Sequence, residues 1–249
     1  MSVFLLKIIA VICMFCDHIR YVFPNTNTET MRALGRIAFP IFAFLITEGY
    51  VHTKNLKKYI IRLGIFALLS EIPFLLFTIG CKIYDKIELN VIFTLFCGIL
   101  SLIFYDKAKT TFLNLVRKNC SENNVIKRML FLASYVISIA ILVLLAQNLH
   151  MDYGAWGVGI ILIFYILREK KILKNLLVAS IFIIGLFLKC KNDLNSINYC
   201  IPYFAGYICS AAILMNYNEK VGKYKMKYFF YLFYPIHMVV LYLMYISVH

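Results

Sequence analysis

The stretch "LGRIAFPIFAFLITEGYVHTKNLKKYIIRLGIFALLSEIPF", residues 34–74, holds two long apolar runs on either side of a basic turn. Each run is close to the roughly 20 residues that an α-helix needs to cross the hydrocarbon core of a bilayer. The turn carries Lys54, Lys57, Lys58 and Arg62, and positive charge in a short connection marks the cytoplasmic side. Outward from this hairpin, the same alternation predicts nine spans, near 3–23, 33–51, 59–80, 89–105, 129–147, 153–167, 173–188, 198–216 and 228–247. The composition agrees, with 62% of residues hydrophobic and a mean hydropathy of +0.80, against about 45–50% apolar content in soluble domains. The chain reads as all-α: a polytopic integral membrane helical bundle, one domain over residues 1–249, multi-pass in the cell (inner, cytoplasmic) membrane.

Every second connection is basic. Lys107, Lys109, Arg117, Lys118, Lys127 and Arg128 follow the fourth span, Arg168, Lys170, Lys171 and Lys174 the sixth, and Lys220, Lys223, Lys225 and Lys227 the eighth. The intervening "NTNTET", "CKIYDKIE", "NLHMD" and "KCKNDLNS" carry few positive charges, which places them outside and the N-terminus in the cytoplasm. The net charge of +14 is thus a topology signal, and no nucleic-acid partner is expected. Residues 106–128 read as the one long loop, with room for an interfacial helix through "TTFLNLVRK". The first span lacks a small-residue cleavage site and reads as a retained helix, not a signal peptide. Cys13, Cys16, Cys97, Cys200 and Cys209 fall within spans, where thiols behave as small apolar groups, so no disulfide framework is expected. Cys13, Cys16 and His18 have no second ligand pair at metal spacing, and no metal is expected.

An ionisable side chain within a span costs about 2.5–3.5 kcal/mol on insertion scales, so it argues for a partner or a water-filled pocket. Within "CMFCDHIR", residues 13–20, Asp17 and Arg20 stand three apart and can pair, whereas Asp17 and His18 point about 100° apart on a helix. His18 is then left to face the bundle interior, either as a proton acceptor or as part of an ion-paired structural polar cluster. Arg36 opens the second span and either stabilises a developing anion or pairs with Asp17. Glu48 and His52 share a helix face beside the basic turn. That turn either holds phosphates, through Lys54, Lys57, Lys58 and Arg62, or only sets topology. Glu71 precedes Pro73 at an expected helix break and either pairs with an arginine or lines the pocket. Asn90, Thr94, Cys97 and Gly98 form a polar seam suited to helix packing, and Tyr234 and His237 lie a turn apart across Pro235. No Gly-rich phosphate loop, G-x-S-x-G or H-E-x-x-H is present.

The order "LKIIAVICMFCDHI" (6–19), the stretch 34–74, "NVIFTLFCGIL" (90–100), "MDYGAWGVG" (151–159) and "YPIH" (234–237) resembles the TraX family, typified by the F-pilin acetyltransferase. Asp17 and His18 match its Asp-His pair, and Arg36, Phe39 and Pro40 its G-R-x-x-F-P. Glu48 with Gly49, Glu71 with Pro73, Asp152 to Gly154, and Tyr234 with His237 fall on its later motifs. The family is similar in plan to the wider group of membrane acyltransferases that use acyl-CoA.

The resemblance implies an acetyl-CoA-dependent membrane enzyme that moves an acetyl group to an amine, such as a peptide or pilin-like N-terminus, more readily than to a hydroxyl. Glycan or lipid acceptors also remain open. On this reading the catalytic residues are His18 as general base, Asp17 to orient or neutralise, and Arg36 to stabilise the oxyanion. Lys54, Lys57, Lys58, Arg62 and His52 would hold the cofactor, while Glu48, Glu71, Asn90, Asp152, Tyr234 and His237 are further pocket candidates. The competing readings are a small-solute or proton-coupled membrane transporter, which also needs buried Asp, Glu and His, and a structural subunit of a larger assembly.

Overall fold

The computed structural model describes residues 1–24, 28–83, 88–116, 122–190, 194–222 and 227–249, with only the backbone described at 122–124, 188–190, 194–199 and 227. Among the described residues there are nine α-helices and no named strand: α1 (Val3–Val22), α2 (Thr28–His52), α3 (Leu56–Gly80), α4 (Val91–Val116), α5 (Glu122–Asn148), α6 (Gly154–Ile166), α7 (Lys171–Cys190), α8 (Leu194–Met215) and α9 (Lys227–Val248). Local sequence starts two of them. The Ser2 hydroxyl accepts from the Leu5 N–H at 3.3 Å, and the Asn55 side chain, within the basic turn, accepts from the Lys58 N–H at 2.9 Å. Each satisfies a donor that the first helical turn leaves open.

Five segments, Thr28–His52, Leu56–Gly80, Val91–Val116, Val125–Asn148 and Tyr228–Val248, are long and apolar enough to cross a bilayer, the mark of a membrane protein. Their burial differs sharply. The apolar window of α2 is 61% buried within the bundle and that of α5 only 6%. α2 is therefore central, packed on α1, α4, α6 and α8, while α5 presents an apolar outer surface such as lipid would cover.

Side-chain contacts fix which helix ends lie together. At one end, the Tyr50 and Tyr165 hydroxyls both donate to Asp106, at 2.7 and 2.8 Å, joining α2, α4 and α6. The same end gathers the start of α1 and the segment after α8, through Val3 N–H to the Lys220 carbonyl at 2.8 Å. At the opposite end an isolated bridge pairs Leu89 with Met151, tying the residues before α4 to the turn before α6. Successive helices thus alternate in direction.

Three expectations change. The described residues of 106–128 are helical rather than loop, since α4 runs on to Val116 and α5 starts at Glu122. The stretch "DKAKTTFLNL" contains no Gly or Pro, so a helix nucleated in the apolar span simply propagates through it. Pro73 does not break α3, and Pro40, Pro202 and Pro235 likewise lie inside helices, where packed neighbours keep the chain helical. Cys200 is disulfide-bonded and not a lone apolar thiol. Of the basic residues named above, Arg117, Lys118, Lys223 and Lys225 lie outside the described residues, as does the side chain of Lys227.

Candidate active site

Asp17 is the node on which α1 and α2 meet. Its two oxygens accept from Arg20 Nε at 2.9 Å and from Arg36 Nη2 at 3.0 Å, so the pairing within α1 and the pairing with Arg36 both form. Arg20 is 8% exposed, Asp17 13% and Arg36 22%. Arg20 also donates to the Tyr21 hydroxyl, and Arg36 lies over the Tyr203 ring and bonds Tyr207 of α8. One donor of this set is left over: Arg36 Nε is buried with no hydrogen-bond partner.

The close approach needs a glycine. A Cβ added at Gly35 would stand 2.3 Å from Asp17 Cγ, whereas one added at Gly159 would meet nothing within 4 Å. Gly35→Ala should therefore cost about 1–3 kcal/mol by overpacking, while Gly159→Ala should gain up to about 1 kcal/mol of helix propensity. Thermal unfolding of the two variants in detergent checks the contrast, because equal shifts would mean that Asp17 moves aside freely.

His18 points away from Asp17 into the bundle. Its Nδ1 lies 2.8 Å from Nε2 of His237 on α9, and His237 Nδ1 lies 2.8 Å from the Phe233 carbonyl. The two imidazoles are nearly parallel, with interplanar angle 10°, and Phe233 stacks on His237. His237 is 4% exposed.

The turn between α5 and α6 supplies the facing wall. Asp152 N–H donates to the Leu89 carbonyl at 2.9 Å, and Thr94 Oγ1 donates to the Asp152 carbonyl. Burial pushes the Asp152 carboxyl up to about 7, against the opposing pull of the Arg36 guanidinium. Tyr153 follows in the left-handed region at φ 63° and stacks on Phe39 at 3.7 Å between centroids. A bulky residue there costs roughly 1–2 kcal/mol, and such strain collects at functional sites. The polar seam of α4 packs as expected: Thr94 reaches Asp152, and Gly98 lies against Ile161 of α6.

Two cavities flank this cluster. The smaller, about 100 Å³, is lined by Asp17, His18, Tyr21, Arg36, Asp152 and Tyr153 among others. The larger, about 510 Å³, runs from the end that holds the N-terminus, past Lys7, Glu48, His52, Arg62 and Tyr217, and is otherwise mostly apolar. Four side chains, Met14, Phe42, Val91 and Tyr234, line both. The cavities therefore abut at that constriction, directly beside His18.

Placement of the sequence candidates follows from this. Asp17, His18, Arg36, Asp152 and Tyr234 come together at the small cavity, with His237 immediately behind His18. Glu48, His52 and Arg62 line the large one, where Glu48 accepts from the Tyr217 hydroxyl at 2.7 Å and His52 stands 3.8 Å from its carboxylate. Lys54, Lys57 and Lys58 are exposed and line neither cavity. Lys7 was missed in their place, and only its position one turn into the first apolar run hinted at it. Glu71 meets neither alternative: it lines neither cavity, and its Oε2 accepts from Asn90 Nδ2 at 2.6 Å and from the Asn90 N–H at 3.2 Å. Asn90, fully buried, binds the Ala67 carbonyl as well and fixes the start of α4 beside the constriction.

Comparison with known proteins fits the chain as a whole. The curated relative described as "Probable fimbrial assembly protein FimC, serogroup H1" of Dichelobacter nodosus is 26% identical over 260 residues, covering 96% of this chain and 94% of its own length. No solved structure matches. The family described as "TraX protein" matches residues 2–245, which takes in every residue of both cavities, and the chain belongs to that family.

Proposed function

We propose that this protein is a membrane-embedded acetyltransferase that takes an acetyl group from acetyl-CoA in its large cavity and delivers it to an acceptor amine in the small one. The observation that carries the reading is the meeting of the two cavities at Met14, Phe42, Val91 and Tyr234, with His18 on the far side of the constriction. A cavity of about 510 Å³ is of the size that buries a small organic ligand, here the pantetheine arm. The phosphates of the nucleotide would lie at the mouth near Arg62, His52 and Lys7. Lys57 and Lys58, exposed beside that mouth, would contribute attraction at a distance.

The positive-inside rule assigns that mouth to the cytoplasm, because the basic turns of Lys54–Lys58, Lys107–Lys109 and Arg168–Lys171 stand at the same end. The small cavity would then face the opposite side of the inner membrane, where a peptide N-terminus, the acceptor implied by the family resemblance, would arrive.

In the reaction, His18 takes a proton from the acceptor nitrogen as its lone pair attacks the thioester carbonyl carbon. Arg36, whose side chain lines the small cavity, donates to the oxygen that becomes anionic. The C–S bond breaks as the amide forms, and His18 returns the proton to the leaving thiolate as coenzyme A departs. Asp17 holds the two guanidiniums in place and takes no part in proton transfer.

Calorimetric titration of acetyl-CoA into the protein in nanodiscs tests the donor half of this reading. Wild type should bind, Arg62→Gln should weaken binding about tenfold or more, as expected for loss of a charge-assisted phosphate contact, and Lys57→Ala with Lys58→Ala should weaken it less. Folded wild type that fails to bind acetyl-CoA, yet catalyses solute counterflow, would replace the enzyme by the carrier.

A further inference from the structure

We propose that His237 is a positioning residue that locks His18 in the tautomer whose bare nitrogen is Nε2. The claim deepens the acetyltransferase reading and rests on it for its kinetic consequence, while the tautomer itself is a separate observable.

A backbone carbonyl only accepts hydrogen bonds. His237 Nδ1, 2.8 Å from the Phe233 oxygen, must therefore carry a hydrogen. In a neutral ring that leaves Nε2 bare, as an acceptor. His18 Nδ1, 2.8 Å from that acceptor, must then be the donor, and His18 Nε2 is left with the free lone pair. The alternative is a cationic His237 donating from both nitrogens. This would place an ion, with no carboxylate bonded to it, in a site 4% exposed and walled by Phe15, Phe233 and Tyr234, and an unpaired buried charge is costly.

The chain of donors therefore runs one way, from His18 through His237 to the α9 backbone. His18 lines the small cavity and His237 does not, so the second imidazole acts through the first and touches no reacting atom. When His18 takes the acceptor's proton on Nε2, its Nδ1–H still donates to His237 Nε2, and the new cation keeps a hydrogen bond without any movement. Stacking by Phe233 at 14° holds the His237 ring in the required plane. His18 and His237 stand 219 positions apart on the first and last helices, so the pair also ties α1 to α9.

Nitrogen-15 NMR of histidine-labelled protein in nanodiscs reads which nitrogen of each ring is protonated, with His18→Gln used to assign the signals. In wild type His18 should be protonated at Nδ1 and bare at Nε2. His237→Ala should abolish that preference and slow acetyl transfer about 10–100-fold, the usual cost of losing an orienting partner, with acetyl-CoA affinity unchanged. His237→Gln, whose amide oxygen can accept from His18 Nδ1, should restore part of both readouts. Wild-type His18 protonated at Nε2, or a His237→Ala protein with unaltered tautomer, would overturn the proposal. The expected tautomer in a protein that transfers no acetyl group would leave this inference standing and remove the acetyltransferase instead.

Discussion

Replacement of His18 by glutamine is expected to lower acetyl transfer about 10²- to 10⁴-fold, the range supplied by a positioned general base, while leaving acetyl-CoA affinity within about twofold of wild type. The asymmetry comes from placement. His18 lines the small cavity and is absent from the wall of the large one, so its loss removes no contact to the donor. Glutamine is chosen because its amide nitrogen can still donate to His237 Nε2, which keeps α1 and α9 joined and separates lost chemistry from lost fold. Single-turnover transfer of a labelled acetyl group to a peptide amine, beside calorimetric binding of acetyl-CoA, measures the two quantities. A fall in the maximal rate with unchanged binding is the signature of an interaction used only in the transition state. A loss of binding in step with rate would instead place His18 in the donor site.

The second large effect is on stability. Asp17→Asn keeps the side chain's shape but removes the one negative charge shared by Arg20 and Arg36. Two largely buried guanidiniums would then face each other's field with a neutral amide between them. Breaking a buried pair by removing one partner costs about 3–5 kcal/mol, and here a single carboxylate serves both cations. Thermal unfolding in detergent should show Asp17→Asn as strongly destabilised. Adding Arg20→Gln to it should recover part of the loss, because the stranded charge goes too. A double variant no better than the single would mean that packing around the carboxylate, and not charge balance, is what α1 and α2 need.

Both expectations draw on residues that the sequence made conspicuous, for a physical reason. Asp17, His18 and Arg20 interrupt an apolar run, and charge inside a span has to be accounted for in one dimension as in three. The Asp17–Arg20 contact is legible too, since a helix fixes what stands three residues away. The helix pattern was readable for the same reason: the nine apolar runs became nine helices among the described residues, five of them long and apolar enough to cross a bilayer.

What escaped the sequence is what depends on helix rotation. That His18 meets His237 and not Tyr234 or Glu71 follows from how α1, α3 and α9 pack, and no local rule spans 219 residues. Lys54, Lys57 and Lys58 looked like phosphate ligands because they are basic and adjacent to the hairpin, yet they project from the helix start into solvent while Lys7 lines the cavity. Glu71 found Asn90 because α3 and α4 pack side by side, a pairing visible only once the hairpin is folded. The extension of α4 to Val116 was hidden by its charge: polarity suggested a loop where helix propensity carried the chain onward.

The constriction at Met14, Phe42, Val91 and Tyr234 has an electrical consequence. Transmembrane voltage is worth about 2.3 kcal/mol per elementary charge per 100 mV, and in an unbroken bilayer it falls over roughly 30 Å of hydrocarbon. On the proposed reading, in which the two cavities open to opposite sides of the membrane and admit water, the drop would be compressed into the short septum between them. His18, which lines the small cavity beside that septum, would then stand where the field is steepest, and a change in membrane voltage would act directly on any proton it holds.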